Sequence, residues 1–252
     1  MAVVDVQNTG SVAIRSREDI TRCAEALQEI AAGYGLRVGP WHNLGSPTPM
    51  IGSDGEPLCS TVFGWSGDQE WWHGLAKRRI CPLADLCRYQ SEPFWGTVNS
   101  PLKSLHPTPH LEKIDLTWLW ANSSVRSILT IPVHMHLGQI GLIGFVSERE
   151  DIDFEACLDH LVSVSHSFLL SYMRVLDEER RARRCEPLSA REIDCLAWAF
   201  DGKTDRDIAE ITGKSYATVR FYISSAAVKL RTVNRAQTLA KAATLGYFAT
   251  RA

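Results

Sequence analysis

Apolar residues recur every three to four positions in short stretches near the C-terminal end of the chain. Ile193, Leu196 and Ala197 form one group, and Ile208 and Ile211 a second. Val219, Ile223, Ala226 and Leu230 form a third. That spacing predicts amphipathic helices. Each carries its own start signal. Ser189 with Glu192 is a capping box, in which two side chains satisfy amides that a first helical turn leaves unpaired. Thr204 with Asp207, Ser215 with Thr218, and Asn234 with Gln237 repeat the signal, the last opening a fourth helix over 235–244. Gly202, Gly213 and Gly246 stand where helix ends need a residue free of the Cβ penalty. The second and third helices, joined through Gly213 and Lys214, read as a helix-turn-helix.

Upstream the pattern changes. Ile20, Cys23, Leu27 and Ile30 predict a helix over 18–33. Residues 36–44 and 58–64 read as strands with a Gly/Pro/Ser-rich loop between them. Gln69–Arg79 reads as a helix with Trp71, Trp72 and Leu75 near one face, interrupted at Cys81-Pro82. The stretch 99–112, rich in proline, reads as a loop, and Ser127–His134 with Gln139–Ser147 as a hairpin. A long helix follows over Asp153–Arg180, with Phe154, Leu158, Leu161, Phe168, Tyr172 and Leu176 as its stripe. Its end becomes wholly charged before Cys185-Glu186-Pro187, a solvated linker. The expected fold is an α/β sandwich, an antiparallel sheet flanked by helices, followed by an all-α helix-turn-helix domain of four helices. The expected boundaries are 1–176, a linker at 177–187, and 188–252.

Composition narrows the function. With 252 residues, 45% hydrophobic and 22% charged, the chain suits two globular domains. No apolar run approaches the roughly 18–20 residues that a membrane helix needs. The N-terminus lacks the basic and apolar segments of a signal peptide, so a cytoplasmic protein without membrane contact is expected. Seven scattered cysteines without a C-x-x-C pair read as reduced thiols. The net charge of −2 hides an asymmetry. From Glu186 onward ten Lys and Arg face seven Asp and Glu, whereas residues 1–185 hold 17 against 22. The basic excess sits on the helix-turn-helix, as neutralising phosphates requires. His134-Met-His136 places two imidazoles on one side of a strand, and His106 and His110 share a loop. Neither pair has a third metal ligand. No nucleophile–base pair follows from spacing, so neither an enzyme nor a cofactor is expected.

The run L-S-x-R-E-x-x-x-L-x-W, G-K-T, D-I-A, T-V-R-F and K-L-x-x-x-N-R-x-Q, within Leu188–Leu245, resembles the DNA-binding domain of LuxR-family transcription regulators. Tyr222 stands where that family often has His. The resemblance implies double-stranded DNA as partner, read by a homodimer on an inverted repeat, with RNA polymerase a further partner. It also implies that residues 1–176 form a sensor and dimerisation domain like the autoinducer-binding domain. A receiver domain is excluded, because no apolar strand ending in an acidic pair opens the chain. In the third helix, capped by Ser215, Tyr216, Ala217, Arg220, Ser224 and Ser225 face away from the apolar stripe. Arg220 is the base-reading candidate, because a guanidinium engages a guanine edge bidentately. Lys203, Thr204, Lys214, Lys229 and Arg235 are candidate phosphate contacts. Ala236, Leu239, Ala240 and Ala243 are expected to be exposed on the fourth helix, which pairs the domains in this family.

Seven of the eight tryptophans lie before residue 121, enough aromatic surface to wall a small-molecule pocket. In acyl-homoserine lactone receptors a Trp and a Tyr on one helix bond the ligand's carbonyls, and an Asp before a Pro accepts its amide proton. A later Trp and a strand Gly complete the site. The corresponding places here hold Asp68 or Trp65, Trp72, Cys81, Pro82, Trp95 within one position, and Ile128 near that of the Gly. Asp85 or Glu70 replaces the missing carboxylate if the register differs. A thiol is a poor acceptor. Loss of a carboxylate partner for a buried amide costs on the order of 1.5–3 kcal/mol, roughly 10- to 150-fold in affinity. The expected effector is therefore a small molecule other than a standard acyl-homoserine lactone, in the manner of a LuxR "solo". The alternative is a ligand-independent regulator whose N-terminal domain only dimerises or recruits a partner.

Overall fold

A computed structural model describes residues 12–45, 48–65, 82–135, 139–181 and 186–248. They form two compact units that divide between Glu179 and Arg180.

The N-terminal unit is built on a five-stranded antiparallel sheet. Its strands are β1 (Arg37–Trp41), β2 (Phe94–Thr97), β3 (Ser100–Ser104), β4 (Ser127–His134) and β5 (Ile140–Ser147), in the order β1-β5-β4-β2-β3. Helices α1 (Ile20–Gly33), α2 (Leu58–Thr61), α3 (Pro82–Leu86), α4 (Thr117–Asn122) and α5 (Phe154–Arg181) accompany it. The apolar runs of β4 and β5 form the centre, as continuous burial demands: every residue from Ser127 to Val133 is buried. Phe154, Leu158, Leu161, Phe168 and Tyr172 of α5 are buried as expected, and Leu176 packs at the rim. Gly141 permits a close approach. A Cβ there would lie 2.5 Å from Leu169 of α5 and 2.8 Å from the Trp41 carbonyl.

Two expectations fail in this unit. Residues 58–64 are not a strand; Leu58–Thr61 form one helical turn after Pro57. The Ser60 and Thr61 hydroxyls both donate to the Pro57 carbonyl at 3.0 Å, a local bond that competes with a sheet ladder. The stretch 99–112 is not all loop, because Ser100–Ser104 pairs with β2. Pro101 is tolerated because β3 is an edge strand. The helix expected at Gln69–Arg79 lies outside the described residues.

The C-terminal unit holds α6 (Ala190–Phe200), α7 (Asp205–Thr212), α8 (Tyr216–Lys229) and α9 (Arg235–Thr244). All four N-caps are those expected, Ser189, Thr204, Ser215 and Asn234, each accepting from the amide three residues on. Gly213 closes α7 in the left-handed region at φ 64°, which a side chain would strain. Leu196, Ile208, Val219, Ala226, Leu230 and Ala242 are fully buried at the centre.

Candidate nucleic-acid interface and effector face

Glu192 decides how the recognition helix is held. It is 3% exposed. Its carboxylate accepts from the Ser189 amide at 2.7 Å, Ser225 Oγ at 2.6 Å and Lys229 Nζ at 2.8 Å. The last two sit on α8, so one buried carboxylate fastens α6 to α8. Burial alone would raise its pKa; the hydrogen bonds from Lys229, Ser225 and Ser189 outweigh that and hold it near 2. This corrects two assignments. Ser225 and Lys229 are not outward or phosphate-facing; both are turned to Glu192, because two buried-side donors answer one buried charge.

Arg235 is also engaged internally. It donates to Asp205 and, at 2.9 Å, to the Lys203 carbonyl, tying the start of α9 to the start of α7. Thr204 and Ser215 serve as caps, with Thr204 donating to Asp207 at 2.8 Å and Ser215 sharing a 2.8 Å bond with Thr218. Tyr222 is half-buried, and its hydroxyl accepts from Arg191 at 3.3 Å. That bond joins α6 to α8.

Lys203, Tyr216, Ala217, Arg220 and Ser224 are exposed and Lys214 half-buried. Lys203, Thr204, Arg206, Tyr216 and Arg235 line an open groove of about 750 Å³ at the start of α7. Arg206 was missed by motif reasoning, although its place beside a helix start marks it as a phosphate candidate. The Arg220 guanidinium lies 5.9 Å from the Tyr216 ring centroid, which keeps both on one face of α8. On α9, Ala236 and Ala240 are exposed as expected, but Leu239 and Ala243 are half-buried, and Leu239 packs on the unit's own core.

Arg235→Ala should cost this unit less than about 1 kcal/mol, because the ion pair is partly solvated. The change should concentrate at the α7–α9 junction. Hydrogen exchange would read it as lost protection at Asp207 and Ile208, whose amides bond Thr204, with α6 unaffected.

The effector candidates are only partly brought together. Side chains alternate across a sheet while paired residues share a face. Trp95 pairs with Leu129, which pairs with Phe145, on the face that meets Leu169 of α5. Ile128 pairs with Gly96 and Val146 and so lies on the opposite face, together with Phe94 and Thr130. Trp95 and Ile128 therefore cannot line one pocket, and Phe94 is the aromatic residue on the face of Ile128. Trp65 is 2% exposed, its indole N–H donating to the Val38 carbonyl at 2.6 Å under the Arg37 guanidinium. That donor is spent on β1. Pro82 opens α3 and is half-buried. Asp85 is exposed and paired with Arg88 at 3.6 Å, so it does not replace the missing carboxylate. Asp68, Glu70, Trp72 and Cys81 lie outside the described residues.

His134 bonds the Cys87 carbonyl, His106 bonds Glu92, and His110 stacks on Tyr89; His136 lies outside the described residues. Among the described residues no group of His, Cys, Asp and Glu could hold a metal ion. Cys23, Cys59, Cys87, Cys157 and Cys195 are buried free thiols, and burial pushes Cys157 up to about 11, far from a reactive thiolate. Among the described residues no helix is long and apolar enough to cross a membrane.

Comparison with known proteins agrees with this arrangement. Residues 186–242 match the family described as bacterial regulatory proteins, luxR family. The transcriptional activator LuxR of Aliivibrio fischeri is 32% identical over 240 residues, spanning 93% of this chain and 90% of that protein. The quorum sensing-dependent transcriptional regulator VjbR of Brucella ovis is 48% identical over 59 residues, 23% of each chain. The crystal structure of Escherichia coli SdiA shares the fold at a TM-score of 0.54 and 18% identity, over 89% of this chain and 91% of that one. With its helix-turn-helix, its sandwich and a relative alike over nearly its whole length, the chain belongs to the LuxR family, as a DNA-binding transcription regulator and not an enzyme.

Proposed function

We propose that the chain is a homodimeric regulator that binds an inverted-repeat operator through α8, in the cytoplasm, and acts through contact with RNA polymerase. Residues 1–176 serve as the sensor and dimerisation domain, 177–187 as linker and 188–252 as the DNA-binding domain. The observation that carries this reading is the outer face of α8, where Arg220 and Ser224 stand clear of a core that anchors the helix from behind. Lys203, Lys214 and the Thr204 and Ser215 helix starts serve as phosphate-side contacts. Selection of binding sites from random duplexes, followed by footprinting, tests it. A two-fold symmetric footprint is expected, and a single unrepeated site would overturn the dimer.

The effector is a small molecule other than a standard acyl-homoserine lactone. Ile128 supports this, because a branched side chain, 1% exposed, stands near the place where the lactone receptors have Gly. At 100 times its dissociation constant a ligand adds about 2.7 kcal/mol of stability. Thermal unfolding with lactones of short, medium and long acyl chain, at such an excess over a micromolar dissociation constant, is expected to show no such gain; a gain with any of them would refute the assignment. Ligand-independent action is the second reading, favoured by the indole N–H of Trp65 being spent on Val38. Soluble, operator-binding protein from cells lacking any inducer would decide for it.

A further inference from the structure

Val219, Ile223, Ala226 and Leu230 mark the core side of α8. At about 100° per residue, the line opposite them runs through Ala217, Phe221, Ser224 and Val228. Phe221 lies roughly 170° from the mean buried direction, and Arg220 only roughly 90°. The most outward large side chain in the first two turns of α8 is thus an aromatic hydrocarbon, 67% exposed. Its ring meets Tyr222 edge-on at a centroid distance of 5.8 Å, on the side toward the helix shoulder. It gives the unit's core nothing: the ring has no place in the apolar cluster behind α8.

The geometry points to Phe221 as a specificity-determining residue that packs on the C5 methyl of a thymine. The inference rests on the proposed entry of α8 into the major groove. There the thymine methyl is the apolar group that base edges present, and Phe is among the side chains that contact it. Phe221 stands in the second turn, the part of a recognition helix that reaches base edges, whereas Val228 stands in the last. Arg220 and Ser224, both on one side of it around the helix, supply hydrogen bonds to adjacent pairs. Phe221 therefore reads a methyl at the edge of the face that carries the two polar readers.

The test uses the full chain and the operator it recovers from a random duplex library. Each thymine is replaced in turn by deoxyuridine, which removes only the methyl. Wild type should bind about fourfold more weakly at one position per half-site, as the burial of one methyl predicts. Phe221→Ala should bind the thymine and uracil duplexes equally, with circular dichroism unchanged because the ring is exposed. Phe221→Leu should keep part of the difference. A wild type indifferent to every methyl, or an alanine variant as sensitive as wild type, overturns the role of Phe221 while leaving sequence-specific binding standing. Recovery of no preferred duplex overturns the DNA-reading proposal beneath it.

Discussion

Glu192→Ala will lower the stability of the C-terminal unit by about 3 kcal/mol, because it strands a lysine that its partner had neutralised. The loss has several parts. Lys229, only 25% exposed at its side chain, keeps its charge without a counter-ion. Ser225 Oγ and the Ser189 amide lose the acceptor that faces them. Each stranded donor costs on the order of 1–3 kcal/mol where water cannot reach it. Amide exchange within α6 and α8 reports this unit alone, and protection there should fall by about 100-fold. Glu192→Gln should lose less, since a carboxamide oxygen still accepts from Ser225. The pH dependence has a defined sign. The folded carboxylate titrates near 2 against an ordinary 4.5, so its contribution is complete above about pH 5 and disappears as pH falls toward 2. Melting curves of wild type and Glu192→Gln should differ at pH 7 and converge near pH 2. A constant difference across that range would show that the carboxylate's charge is not what holds α6 to α8.

Much of the C-terminal unit was legible because its signals are local. A cap and its amide lie three residues apart, and a helix end needs one glycine, so Ser189, Thr204, Ser215, Asn234 and Gly213 could be assigned from a short window. Ser225 and Lys229 could not, because the group that turns them inward lies 33 and 37 residues away in sequence. Phe221 was overlooked for a different reason. Val219, Ile223, Ala226 and Leu230 place it on the far side of α8, but its 67% exposure is a property of the packed unit. In the N-terminal unit the long apolar runs of β4 and β5 admit few other structures. The seven residues from Leu58 are short enough to fit a strand or a helical turn equally. Facing of Trp95 and Ile128 was beyond reach from sequence, since one step of strand register exchanges the faces and register is set by non-local pairing.

Arg220→Ala will weaken operator binding by about 1–3 kcal/mol per half-site, roughly 5- to 150-fold, and relax the preference at one base step in each half. On a dimer both half-sites carry the loss, so the full operator should suffer about the square of that factor. Two controls separate base reading from charge. Arg220→Lys keeps the charge but loses the planar fork, so it should recover the salt dependence and little of the base preference. Lys203→Ala should weaken all duplexes alike and reduce the salt slope by about one per half-site, as a phosphate contact does. Anisotropy titrations on the operator and its single-base variants, at several salt concentrations, distinguish the three. An unchanged footprint and affinity for Arg220→Ala would remove the guanidinium from the interface. The stacking of Arg220 near Tyr216 makes the prediction sharper, since it holds a long side chain on one face of α8 before DNA arrives. Less rotamer entropy is then lost on binding, and Tyr216→Ala should reproduce part of the Arg220 defect in affinity without changing which base is preferred.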